Sequence, residues 1–104
     1  MIIDFHTHIV PPEIIENRDR YFSSEPAFKL LYESPEAKLA TAEDLIRMMD
    51  KEAVDKSVTF GFPWTNPDLF RWNNDYVAEA VAKFPSRLKG FGCFDLYNEY
   101  VTIE

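Results

Sequence analysis

Apolar and polar positions alternate at the start of the chain. Ile2 to Ile9 is dominated by β-branched and aromatic residues and is stopped by Pro11-Pro12, a pattern that predicts a strand. Period two places Ile2, Asp4, His6 and His8 on one face and Ile3, Phe5, Thr7 and Ile9 on the other. The second face is mostly apolar, as expected beneath packed helices, while the first turns polar toward its C-terminal end. From Pro11 to Ala40 the pattern is mixed; short helices are expected over Glu13–Arg20 and Ala27–Glu33, with breaks at 23–26 and 34–35. Thr41 opens a clearer helix. It is a good N-cap, Glu43 and Asp44 complement the helix dipole, and Leu45, Ile46, Met48 and Met49 recur at helical spacing until about Glu52.

Val54 to Phe62 predicts a second strand, ended by Gly61 and Pro63. Asn66, Pro67 and Asp68 mark a loop with room for a helical turn over 68–72. Asn73 or Asn74 is then expected to cap a helix through Lys83, with Tyr76, Val77, Ala80, Val81 and Phe84 as its apolar face and Pro85 closing it. A third strand is expected over Leu88–Leu96. Strands alternating with helices argue for an α/β fold with a parallel sheet and right-handed crossovers. Residues 97–104 continue neither pattern, so the architecture reads as interrupted.

Composition narrows the function classes. A chain of 104 residues with 46% apolar and 28% charged positions suits one small folded domain. The net charge of −7, without a concentrated basic face, argues against a nucleic-acid partner. Cys93 is the only cysteine, which excludes an intrachain disulfide and a cysteine-rich structural zinc site, and favours a reducing compartment. The N-terminus lacks a basic region and its apolar run is broken by Asp4, His6 and His8, so neither a signal peptide nor a membrane span is expected. Cytoplasm is the expected location.

His6 and His8, the only histidines, sit at the C-terminal end of the first predicted strand. At a strand rise of about 3.3 Å per residue their Cα atoms lie about 6.6 Å apart on one face. Two imidazoles so placed can share a metal ion, or simply satisfy neighbouring carbonyls. Asp4, on the same predicted face, is placed to orient a ring N–H. Neutral imidazoles favour zinc among the divalent metals.

The run Ile2-Ile3-Asp4-Phe5-His6-Thr7-His8-Ile9-Val10-Pro11 resembles the first strand of the amidohydrolase superfamily, most closely the amidohydrolase-related branch that contains aminocarboxymuconate-semialdehyde decarboxylase. Val54-Asp55-Lys56-Ser57-Val58 is similar to that branch's second strand, and Phe84-Pro85-Ser86-Arg87-Leu88-Lys89-Gly90-Phe91 to its approach to the third. Phosphoesterases of the polymerase-and-histidinol-phosphatase type share Asp-x-His-x-His, but usually follow it with Ser-Asp-Gly where this chain has Val10-Pro11-Pro12-Glu13. Metal-dependent deoxyribonucleases begin similarly.

The resemblance implies the first three β/α units of a (β/α)8 TIM-barrel metal-dependent hydrolase fold. The barrel would be incomplete, because a whole one needs about 200 residues at least. Residues 1–104 would form a single partial barrel domain, with 11–40 inserted on the active-site side. It further implies a divalent metal, zinc foremost, held by His6 and His8 together with later histidines and an Asp that have no position in this sequence. The implied activity is that of a hydrolase or non-oxidative decarboxylase acting on a small molecule such as a carboxylic acid, with the 104-residue chain alone expected to be inactive or nearly so. The alternatives are an inactive truncated module that self-associates through exposed sheet edges, and a phosphoesterase of the Asp-x-His-x-His type.

Other residues have a functional and a plain reading. Arg18, Arg20 and Lys29 can clamp a substrate carboxylate or be solvated surface. The aromatics of Phe62-Pro63-Trp64 and Phe70-Arg71-Trp72, Trp64 above all, can wall a pocket or pack internally. Asp95 reads as a loop cap, Cys93 as a buried small hydrophobe, Met48-Met49 as core, and Asp50, Lys51, Glu52, Asp55 and Lys56 as a solvated helix end.

Overall fold

A computed structural model describes residues 1–92; the expectations for 93–96, including Cys93 and Asp95, and for 97–104 lie outside the described residues. The elements run β1 (Ile3–His8), α1 (Pro12–Glu16), a 3-10 turn (Arg18–Tyr21), α2 (Pro26–Tyr32), α3 (Ala42–Lys51), β2 (Lys56–Phe60), α4 (Pro67–Lys83) and β3 (Leu88–Phe91). The strands form a parallel sheet in the order β1-β2-β3, each joined to the next through a helical connection. This is the α/β arrangement expected from the alternation of elements.

One face of the sheet is covered. Ile9 and Leu88 pack with Ala42, Leu45 and Met49 of α3 and with Val77 and Ala80 of α4. Beneath these helices the strands contribute buried polar residues, Thr7, Ser57 and Thr59. Buried hydroxyls need partners. Thr7 Oγ1 donates to Val58 O at 2.8 Å and Thr59 Oγ1 to Thr7 O at 3.3 Å, so each strand fastens its neighbour. Gly90 lies where a Cβ would come within 2.7 Å of Val77 and 2.9 Å of Val81, which lets α4 approach β3 closely.

The alternation predicted for β1 does not hold along its whole length. Ile3 pairs with Lys56 and Asp4 with Ser57, but the next pairs are Thr7 with Thr59 and His8 with Phe60. Between Asp4 and Thr7, β1 therefore advances three residues while β2 advances two, which is a bulge that reverses the facing of everything before it. Asp4 shares the helix-side register of buried Ser57, whereas His8 shares the open side of Phe60. Asp4 is thus not on the histidine face as strict alternation predicted. Ile3 and Phe5, expected under helices, are instead 39% and 71% exposed.

Local signals place the helices. Thr41 and Asp44 form a reciprocal capping box on α3: Thr41 Oγ1 accepts from Asp44 N at 3.2 Å and Asp44 Oδ2 from Thr41 N at 3.0 Å. Met49 is fully buried but Met48 is 47% exposed, so only one of the pair belongs to the core. α4 begins six residues or more before the expected cap: Asn66 Oδ1 accepts from Asp68 N and Leu69 N at 2.8 and 3.2 Å, with Pro67 in the first turn. Asn73 is therefore a buried mid-helix residue rather than a cap.

The Asp44 carboxyl is held below the usual carboxylate range, first by the Thr41 backbone N–H it accepts and further by the Thr41 hydroxyl and by Arg47. A depressed folded value means the stabilisation is present above the ordinary carboxylate range and is lost as pH falls through the depressed value. Thermal melts between neutral pH and about pH 3 should show Asp44→Asn less stable at neutrality and flatter in acid than the parent. Thr41→Ala should cost about 1 kcal/mol at neutral pH.

Candidate functional site

The C-terminal ends of β1 and β2 bring the two histidines together on the open side of the sheet. His6 Nε2 and His8 Nε2 are 2.9 Å apart, with the rings edge to face at a centroid separation of 4.8 Å. Phe60 of β2 supports both, at 5.5 Å from the His6 ring and 5.9 Å from the His8 ring, and itself stacks on Phe91 of β3 at 5.9 Å. Neighbouring strands thus supply the apolar floor on which the imidazoles rest.

Hydrogen bonding assigns the tautomers. His8 Nδ1 lies 3.1 Å from Gly61 O, which can only accept, so His8 carries its proton on Nδ1 and leaves the Nε2 lone pair free. His6 Nε2–H can then donate into that lone pair. The same spacing suits a shared ion, since two imidazole nitrogens each about 2.0–2.1 Å from one zinc lie roughly 3 Å apart at adjacent corners. The pair therefore fits as two donors of a metal centre. Among the described residues no group of three His, Cys, Asp or Glu side chains converges, so the rest of a donor set is not supplied by them.

Asp4 reaches the pair by a different route from the one expected. Its Oδ1 accepts from the His6 backbone N–H at 3.1 Å, across the bulge, instead of from an imidazole ring. It braces the irregular backbone that turns His6 toward the open side.

The insertion at 11–40 stands beside this end of the sheet and has its own core. Val10, Ile14, Phe28, Phe62, Trp64 and Phe70 form a second buried cluster, edged by Tyr21, Phe22 and Tyr32. Phe28 lies at its centre, with ring centroids of Trp64 at 4.7 Å, Tyr32 at 5.1 Å and Phe62 at 5.4 Å. Aromatic packing of this kind adds to the burial itself. Trp64 is only 1% exposed, so its role is internal packing, not substrate contact. Arg18 is also structural: its guanidinium donates to Ala37 O at 2.6 Å and Ser34 O at 3.1 Å, holding the insertion's two halves together. Arg20 and Lys29 are exposed on the 3-10 turn and α2.

What the structure does place beside His8 is a cavity of about 230 Å³ lined by His8, Val10, Tyr32, Lys38, Leu39, Ala40 and Phe62. Lys38 brings a cation and Tyr32 a phenol, whose ionisation burial pushes up, keeping it a hydrogen-bond donor at neutral pH. Sequence reasoning missed both, because they lie in the segment with the weakest periodicity and no spacing links them to His8.

Glu25 joins the insertion to the segment between β2 and α4. It is 3% exposed, and its carboxylate accepts from Thr65 N and Thr65 Oγ1 at 2.7 Å each and from Asn66 N at 3.2 Å, just ahead of α4. Negative charge is favoured at that helix end.

No family model matches this chain, and no curated protein matches it. Among solved structures it is similar to the crystal structure of 4-oxalomesaconate hydratase from Rhodopseudomonas palustris, with a TM-score of 0.50 and 19% identity over 88% of this chain. The matched region is 32% of the hydratase chain, so this chain spans about a third of that enzyme. At this identity the likeness is one of fold.

Glu25→Ala leaves three donors beside α4 without their acceptor. Thr65 and Asn66 are exposed, so their freed donors regain water and the three contributions do not simply add. Urea unfolding should show a loss on the order of 2–3 kcal/mol, about that of one hydrogen bond to a charged group. An unchanged midpoint would mean that the insertion is not fastened through this carboxylate.

Proposed function

We propose that this chain carries the first strand-and-helix units of a metal-dependent enzyme barrel, of hydrolase or non-oxidative decarboxylase type, with His6 and His8 as metal ligands. The observation that carries this reading is the convergence of two Nε2 atoms at 2.9 Å at the C-terminal end of a parallel strand, the end where such barrels keep their active sites. The Asp-x-His-x-His resemblance and the fold likeness to a hydratase point the same way. Zinc is the first candidate, because neutral imidazoles suit it.

A bound divalent ion would polarise substrate and lower the pKa of coordinated water. The protein's own groups have separate tasks. His6 and His8 present their ring nitrogens from a braced strand end, with Phe60 as a floor that limits ring movement. Lys38 and Tyr32 offer a cation and a donor to a small carboxylate-bearing ligand in the adjoining cavity. The finer choice between hydrolysis and decarboxylation rests with groups outside this cluster.

Isothermal titration of the chain with Zn²⁺ or Co²⁺ tests the reading. The parent should bind one ion per chain or per shared site, and His6→Ala or His8→Ala should each weaken binding by more than about 100-fold, beyond the loss typical of an outer partner. Absence of binding by the parent, or binding as tight as the parent's in both variants, would overturn it.

A second reading is favoured by one observation. The open face of the sheet exposes Phe5 at 71%, Phe91 at 51% and Ile3 at 39%, an apolar surface that no helix among the described residues covers. Such a surface favours association, so the same chain can act as a module that pairs with another polypeptide or with its own copy. Sedimentation should then show concentration-dependent association that Phe5→Lys reduces; a monomer at every concentration counts against this reading.

A further inference from the structure

Asn73, fully buried in the middle of α4, has every polar atom engaged. Its Oδ1 accepts from Phe62 N at 3.0 Å and from Trp64 Nε1 at 2.9 Å, and its Nδ2 donates to Ile9 O at 2.9 Å. Two N–H donors on one side and a carbonyl on the other permit only this orientation of the amide. An asparagine inside a helix competes with the helix backbone, so its tertiary partners account for its place here.

The Phe62 N–H that Asn73 holds and the Gly61 C=O that accepts from His8 belong to one peptide unit. A planar peptide points its N–H and C=O in opposite directions. Fixing the N–H on Asn73 therefore aims the carbonyl at His8 Nδ1. The bond to Ile9 O anchors the other side, one residue beyond His8. Gly61 makes this approach feasible: a Cβ there would lie 2.5 Å from Asn73 Cγ, inside any tolerable contact. Gly61 has no positive φ, so space, not backbone freedom, is what the position requires.

We propose that Asn73 is a positioning residue of the histidine pair: by fixing the Gly61–Phe62 peptide plane it holds His8 in the Nδ1–H tautomer with its Nε2 lone pair turned toward His6. The proposal builds on His6 and His8 as metal ligands, for which an outer hydrogen-bond partner sets tautomer and ring orientation. Without a carbonyl aimed at Nδ1, the ring is free to take either tautomer and to rotate off Phe60.

Nitrogen-15 spectra of the imidazoles, recorded on the metal-free chain at alkaline pH, read the tautomer directly. In the parent, His8 Nδ1 should be protonated and Nε2 bare; a parent with the proton on Nε2 overturns the proposal without any variant. Asn73→Ala should give a mixture of tautomers, and Asn73→Asp, which keeps an acceptor for the Phe62 N–H but loses the donor to Ile9 O, should retain more of the parent tautomer than Asn73→Ala does. Trp64→Phe removes a different donor from the same Oδ1, so it should lower Tm while leaving the tautomer intact. If Trp64→Phe mixes the tautomers as fully as Asn73→Ala, general loosening is the cause and the proposal fails. Zinc affinity should fall about 10–100-fold in Asn73→Ala. A parent that binds no zinc but shows the expected tautomer response sinks the metal reading alone, so the two failures are distinguishable.

Discussion

A single extra residue in β1 governs how this end of the sheet is used. Between Asp4 and Thr7 the strand gains one position on β2, and every side chain before that point changes face. After the bulge, Thr7 and Ile9 enter the helix-covered side, where apolar packing and the Thr7–Val58 bond secure them. Because those two are held, His8 is committed to the open side above Phe60. Asp4 pays for the irregularity by accepting the His6 amide.

The site is assembled from two cores that meet at the strand ends. The first, under α3 and α4, positions the sheet; the second, around Phe28 and Trp64, positions the insertion and the segment after β2. Asn73 bridges them. Its helix packs on the sheet through Val77 and Ala80, while its amide reaches the post-β2 segment and the chain after β1. Glu25 makes a parallel connection from the insertion to the start of α4. Buried polar groups of this kind are costly unless every partner is present, and here both have partners, which gives the strand ends a defined geometry.

Much of the element order was legible from residues 1–92. The Thr41 cap, the helical spacing of Leu45 and Met49, and the β-branched runs around β1 and β2 act through local chemistry, which a linear pattern preserves. Asn73 shows where this ends. As a string, Asn73-Asn74 before an apolar periodic run is a cap signal; in space the helix already starts at Asn66-Pro67, and a tertiary network outweighs the local preference. Arg18 and Trp64 behave similarly. Both have the chemistry to meet a ligand, yet carbonyls at 34 and 37 engage one and Phe28 buries the other. Lys38 and Tyr32 went unnoticed because their proximity to His8 arises from the folding back of the insertion.

The sequence by itself determined the α/β alternation, the strand carrying His6 and His8, and the placing of two imidazoles at its end, because each depends on neighbours within a few positions. Only the tertiary structure decided which face each residue of β1 takes, which cations remain available beside His8, and how Gly61 and Asn73 set its tautomer. The reason is physical. A bulge is defined by pairing with another strand, and burial and hydrogen-bond partners depend on groups that meet across the fold, so neither is encoded in the spacing of a single segment.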